Sequence, residues 1–386
     1  MNLPGATEQL RYFEKQQSRI LTTVRQLVEI ESPSDLKSAV DRLGTVVASR
    51  FADIGGRVRV HRAEKFGNHL QIDFSRRRAA GPKPILLVGH LDTVYPMGTI
   101  SRMPCRAAKG NLHGPGVLDM KSGIAIMLHA LEALLNWNEG RLGRPVTVWL
   151  VSDEEVGSSS SRPTTESLAR TAEAVLVVEP AAGRNGALKT ARKGVGEYTL
   201  EVTGRAAHSG LDFEKGENAV VELARQIVEI AKLADPARGM TVNVGKASGG
   251  TRVNVVPAEA RAAMDVRVAR TADGSAIDKE LRALRPFNPH CRIRISGGLN
   301  RPPMEPNSKT AGLYAQAADL ARELGWKLEQ ASVGGGSDGN FTSALGIPTL
   351  DGLGAVGEGA HAEHESVVIS ELPRRAALLA GLMARI

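Results

Sequence analysis

The 386-residue sequence is poor in aromatic side chains, which make up only 4% of it. Base stacking on aromatic platforms therefore has little to work with. Neither sign of charge dominates strongly: Lys and Arg total 49 against 42 Asp and Glu, a formal net charge of +7. The basic residues are scattered, with Arg76-Arg77-Arg78 the one tight run. This pattern reads as solvated surface, and nucleic acid is not an expected partner. Cysteine is scarcer still. Cys105 and Cys291 can build neither a disulfide framework nor a thiolate metal site, which favours a reducing, cytoplasmic setting. Long apolar runs are missing too. The opening residues lack the charged start and apolar stretch of a signal peptide. The most apolar helical segment, over 123–135, is interrupted by His129 and Glu132 and is too short to span a bilayer, so no membrane is expected as a partner.

What is present is the balance of a globular protein, 42% hydrophobic and 24% charged, in a chain long enough for two structural units. Residues 84–89, 146–151 and 174–178 are short, continuously apolar runs, as strands buried on both faces require. Helical patterns occur at 8–30, 122–135, 308–324 and 370–385, so a parallel sheet with crossover helices is the natural architecture. From about Gly194 to Ile295 the character changes. Segments such as Glu197–Val202 and Arg261–Val268 alternate polar and apolar residues, the mark of half-buried antiparallel strands, with helices near 217–234 and 276–285. The expectation is an α/β domain formed by 1–192 and 301–386, interrupted by an α+β insertion at 193–300 with an antiparallel sheet and two helices.

Each apolar strand is followed by chemistry. The first ends in Gly89-His90-Leu91-Asp92, the second in Ser152-Asp153-Glu154-Glu155, the third in Glu179-Pro180. Open parallel sheets gather reactive groups at the carboxyl ends of their strands. A period of two puts His90 and Asp92 on one side, so the Asp92 carboxylate is expected to orient the imidazole. Asp119 sits in a glycine-rich turn ahead of a helix, and His361 is a late candidate. So many carboxylates at one edge repel one another unless cations neutralise them. Imidazole and carboxylate donors without thiolates suit zinc, with cobalt or manganese as substitutes. Glu154 and Glu155 point opposite ways in an extended segment, so one can ligate while the other accepts a proton from water. The Gly334-Gly335-Gly336 run offers backbone N–H groups to a carboxylate.

These stretches, GHLDTV, GPGVLDMKSG, SDEEVGS, VVEP, GRAAHSG, TRVNVVPAEARAAMDVR, GGGSDG and GEGAHAEHESV, occur in the order seen in a family the chain resembles. It is the co-catalytic zinc hydrolases that include glutamate carboxypeptidase (carboxypeptidase G), acetylornithine deacetylase, succinyl-diaminopimelate desuccinylase and aminoacylase. The resemblance implies a zinc-hydrolase catalytic domain with an inserted lid that also forms a homodimer. It implies two zinc ions per subunit, one held by His90 and Glu179, the other by Glu155 and His361, with Asp119 bridging. His361 is preferred to His364 because the family's last ligand belongs to a His-x-x-x-Glu pattern, here closed by Glu365. Glu154 would be the general base, Asp92 the carboxylate behind His90, and His208 the group that steadies the oxyanion. Asn254 and Arg267, with Gly335 and Gly336, would hold the substrate carboxylate. A cis peptide bond is implied at Asp119–Met120.

The activity implied is hydrolysis of the amide bond to a C-terminal amino acid in a small peptide or N-acyl amino acid. The stretch Thr190–Gly196 most resembles the glutamate carboxypeptidase branch, which makes glutamate the first choice, with Arg192 or Lys193 either meeting a second carboxylate or serving as solvated hinge residues. An N-acyl-amino-acid deacylase and a dipeptidase are the hydrolase alternatives. A silent carboxylate-binding protein is the non-enzyme alternative, disfavoured because a binder has no need of Glu154.

Overall fold

Strands buried on both faces must be apolar throughout. The computed structural model, which describes residues 3–74 and 81–386, has three such strands, Ile85–His90, Val146–Val151 and Ala174–Val177, with every residue buried. They are mutually parallel, and Thr349–Leu350 continues them in parallel at one side. Two antiparallel strands, His69–Phe74 and Arg57–His61, complete the other side, giving the order 57–61, 69–74, 146–151, 85–90, 174–177, 349–350.

Alternation sorts the side chains of this sheet into two cores. Ile85 and Leu87 join Ile124, Leu131 and Leu378 in the larger one, while Leu86 and Val88 meet Trp149, Val175 and Val177 on the opposite face. Helix Ser122–Trp137 is buried on nearly every side and packs against the last helix, Glu371–Arg385. An all-round apolar helix belongs inside a large core, where each fully buried Leu or Ile contributes about 1.5–3 kcal/mol. The one helix expected over 8–30 is two, Ala6–Lys15 and Gln17–Val28, separated at Gln16. Among the described residues no helix is long and apolar enough to cross a membrane. The Arg76-Arg77-Arg78 run lies outside the described residues.

The chain divides into two units. One comprises Met1–Ala191, Pro306–Val333 and Ser337–Ile386, the other Arg192–Glu305 and Gly334–Gly336. The second therefore begins at Arg192, runs past 300 to Glu305, and includes three glycines from the chain's later part. Its strands Gly194–Thr203, Thr241–Gly249, Glu259–Val268 and Arg292–Arg301 form an antiparallel sheet in the order 241–249, 259–268, 194–203, 292–301. Ala260, Ala262, Met264, Val266 and Val268 point to its core, where Leu223 and Ile230 of helix Ala219–Ala231 and Ile277 and Leu281 of helix Thr271–Ala283 meet them. The fold is thus mixed α/β, with a parallel-rich sheet in one unit and a separate antiparallel sheet in the other.

Candidate metal centre

The carboxyl edge of the parallel sheet holds a two-lobed cluster centred on Asp119. Asp119 Oδ1 lies 3.1 Å from His90 Nε2, and its Oδ2 lies 3.4 Å from His361 Nε2. On the His90 side, Glu179 Oε1 approaches the same Nε2 at 3.5 Å. On the other, Glu155 Oε2 lies 3.2 Å from His361 Nε2. Donor atoms of His90, Asp119 and Glu155 fall within 4.8 Å of one another, as do those of His90, Glu154 and Glu179. His361 thus faces both Asp119 and Glu155. Asp119 enters through a cis peptide bond to Met120, and His361 sits at a left-handed φ of 65°.

His90 is aimed by its own strand end. Its Nδ1 donates to the backbone carbonyl of Asp92 at 2.9 Å, which leaves Nε2 directed at the cluster. The Asp92 carboxylate also lies beside this Nδ1, at 3.6 Å. The Asp92 side chain serves other donors as well. Its Oδ1 accepts the Glu154 N–H at 3.3 Å, and its Oδ2 accepts the Glu155 N–H at 3.2 Å and the Ser34 hydroxyl at 2.7 Å. Asp92 is fully buried and fastens the tandem glutamates. These lie in a short 3-10 turn, Glu154–Val156, and not in the extended segment expected, yet their carboxylates still join different groups.

The electrostatics are those of crowded acids. Burial pushes the Glu155 carboxyl up, and neighbouring Asp119 adds to the effect against the His361 hydrogen bond. Burial would raise Asp119 as well, but hydrogen bonds from His361 and His90 outweigh it and hold Asp119 low. Bonds to Asp119 and Glu155 raise His361 to about 10. Burial opposes a charge on His90, yet Asp119, Asp92 and Glu179 together raise it well above its ordinary value. Positive charge is therefore wanted at both lobes. Glu155 Oε1 is buried with no hydrogen-bond partner. An orphaned carboxylate oxygen, two imidazoles and no thiolate make a donor set that fits divalent cations of the zinc type.

In the second unit, the backbone pairs residue 208 with 255, and Ser209 N–H donates to Asn254 O at 3.0 Å, bringing His208 and Asn254 to neighbouring positions. His208 Nδ1 accepts N–H groups from Gly210 and Leu211 at 3.1 and 3.2 Å, which puts the ring proton on Nε2. Arg267 is already gripped by Asp265, with Nε 2.9 and 3.0 Å from the two carboxylate oxygens. Arg192 is 4% exposed, and its Nη1 donates to the carbonyls of Gly335 and Gly336, both at 3.1 Å. Through Nη1 the guanidinium ties the start of the second unit to the glycine run. Ser34 was not singled out from sequence; its partner Asp92 lies 58 positions away, and no local pattern announces that contact.

A parallel-sheet edge with this donor set defines a metal-dependent hydrolase. The family model for peptidase family M20/M25/M40 matches residues 86–385, and the chain belongs to that family. Carboxypeptidase G2 from Pseudomonas sp. (strain RS-16) is 30% identical over 373 residues, 95% of this chain and 89% of that protein. Acetylornithine deacetylase from Salmonella arizonae is 28% identical over 261 residues, 63% of this chain and 66% of that protein. Among solved structures, the M20 family metallo-carboxypeptidase from Sulfolobus solfataricus shares the fold, with a TM-score of 0.73 at 18% identity over 95% of this chain and 98% of that one.

Proposed function

We propose that this metallohydrolase releases a C-terminal amino acid, glutamate first among them, from a small peptidyl or N-acyl substrate, using two zinc ions per subunit with cobalt or manganese as substitutes. The observation that carries the reading is Asp119, whose two oxygens face His90 and His361 separately. His90 and Glu179 would hold one cation, Glu155 and His361 the other, with Asp119 between. When bound, such cations polarise a carbonyl and lower the pKa of water. Glu154, in the same group as His90 and Glu179, accepts a proton from the attacking water on its carboxylate and passes it to the leaving amine. Asp92 holds the backbone of both glutamates still.

His208 takes the oxyanion role. Support for it is local: with Nδ1 occupied by two backbone donors, Nε2–H is the group left to donate to a developing negative oxygen. Asn254 and Arg267, with the Gly335-Gly336 segment, are assigned to the substrate carboxylate; Arg267 would share its charge with Asp265. Glutamate rests on the similarity to carboxypeptidase G2 across nearly the whole chain. The match to acetylornithine deacetylase favours deacylation of N-acyl amino acids as the second reading.

The reading includes a homodimer through the inserted unit. Val221 and Val228, 50% and 59% exposed, lie on the outer side of helix Ala219–Ala231, and strand Thr241–Gly249 ends its sheet with an open edge. It also includes a cytoplasmic setting, supported by the unpaired Cys105 and Cys291.

The test is free amino-acid release by zinc-loaded protein from benzoyl- or pteroyl-glutamate, acetylornithine and several dipeptides, with Glu154→Ala as the blank. Preferential glutamate release supports the first reading. Preference for acetylornithine transfers the assignment to a deacylase, and no release from any substrate contradicts both.

A further inference from the structure

Glu365 belongs to neither lobe, yet it is fully buried and its carboxylate is saturated with backbone donors. Oε2 accepts the N–H of Gly116 at 2.9 Å, and Oε1 accepts those of Leu118 and Asp119 at 2.7 and 2.9 Å. The segment it grips is the glycine-rich turn that delivers Asp119, 246 to 249 positions earlier in the chain. Gly116 has a φ of 70°, and a Cβ there would come within 2.6 Å of Thr93 Cγ2, so the turn follows a backbone path that glycine alone accommodates at this position. Glu365 itself follows His361 by one short turn, in which Glu365 N–H donates to Ala362 O. The Tyr95 hydroxyl donates to Ala362 O at 3.0 Å, inside the same turn. Lys121, 1% exposed and anchored to Ile30 O at 2.8 Å, adds a buried positive charge coupled to the same carboxylate.

We propose that Glu365 is a positioning residue for the metal centre, a carboxylate brace that sets the separation of His361 and Asp119 and thereby the affinity of the cation they share. The inference rests on the two-cation reading above and adds to it a residue that touches no cation. Three charge-assisted bonds tie the turn to the His361 loop in one geometry. Without them each segment keeps its fold but samples positions in which Asp119 Oδ2 and His361 Nε2 no longer converge.

The experiment is a zinc titration of full-length wild type, Glu365→Gln and Tyr95→Phe against a chelating dye, with melting of the zinc-free proteins measured in parallel. The Gln side chain keeps the shape but turns one acceptor into a donor facing backbone N–H groups. Glu365→Gln is expected to weaken zinc about 10- to 100-fold, the usual scale for losing an outer partner of a ligand, and turnover is expected to return as zinc is raised. Tyr95→Phe, which removes one hydroxyl and serves should Glu365→Gln fail to fold, is expected to weaken zinc roughly two- to tenfold. Wild-type affinity in both variants, with only their melting lowered, would reduce Glu365 to a structural tie and overturn the proposal. Wild type that takes up no zinc overturns the metal-centre reading and the brace with it.

Discussion

The two lobes of the cluster are built from different materials. His90 stands at the end of a strand buried on both faces, with its side chain 1% exposed, and Glu179 follows the neighbouring strand at 9%. His361 stands on a loop, 51% exposed and at a left-handed φ, opposite a Glu155 that is itself 7% exposed and has an orphaned oxygen. Sheet hydrogen bonding holds His90, and Glu179 two residues past its strand, close to their places before any cation arrives, whereas the second pair depends on loops that must be braced. Preorganised ligands bind more tightly because less is ordered on binding. The account therefore expects one tight and one weak zinc site, sharing Asp119.

The largest expected effect is at Glu154, which belongs to the His90–Glu179 side. Glu154→Ala should lower turnover about 10²- to 10⁴-fold, the scale for a lost general base, with zinc content unchanged by elemental analysis. Loss of either zinc would instead make Glu154 a ligand and redraw the lobes. Next comes the asymmetry. His361→Ala should abolish the weak step of a zinc titration and leave the tight one, while His90→Ala should remove the tight step. Equal affinities in wild type would break the comparison.

Smaller effects mark its limits. Glu132 lies outside both lobes; its hydrogen bond with His129, and then Arg19 at 2.6 Å, hold its carboxyl down to about 2 from an ordinary 4.5. A folded value below the unfolded one means stability present above pH 4.5 and lost as pH falls toward 2. Glu132→Gln should lower Tm by about 1–3 °C at pH 7, with the gap closing below pH 4.5 and zinc binding untouched. A persistent gap at pH 2 would assign the loss to packing. Smallest of all, His364→Ala should leave both zinc steps within about twofold; a lost step would exchange it with His361.

The same contrast governs what could be read from sequence. The three central strands are legible because burial on both faces leaves them apolar throughout, and the ligands at their ends are legible because a parallel sheet collects its chemistry there. Strands Arg57–His61 and His69–Phe74 lack that continuous run and carry only an alternation, with His69, Gln71 and Asp73 between apolar neighbours. His61 and Gln71 satisfy each other across that antiparallel pair, and His69 bonds Ser160. His361 is visible only through a motif, because no regular element carries it. Ser34 on Asp92 is invisible locally, and Glu365 shows in the His361 motif without its grip on the Asp119 turn, since each acts through partners 58 or more positions away. Loop-built parts of a site are specified by tertiary contacts, and these leave no period in the sequence.

The central claim is that Asp119 lies between two cations. Anomalous diffraction at the zinc edge, from crystals of the zinc-loaded protein, tests it most directly. The account predicts two peaks about 3.5–4 Å apart, one beside His90 and Glu179, the other beside Glu155 and His361, each within bonding distance of Asp119. A single peak, or a pair that Asp119 does not touch, would contradict it.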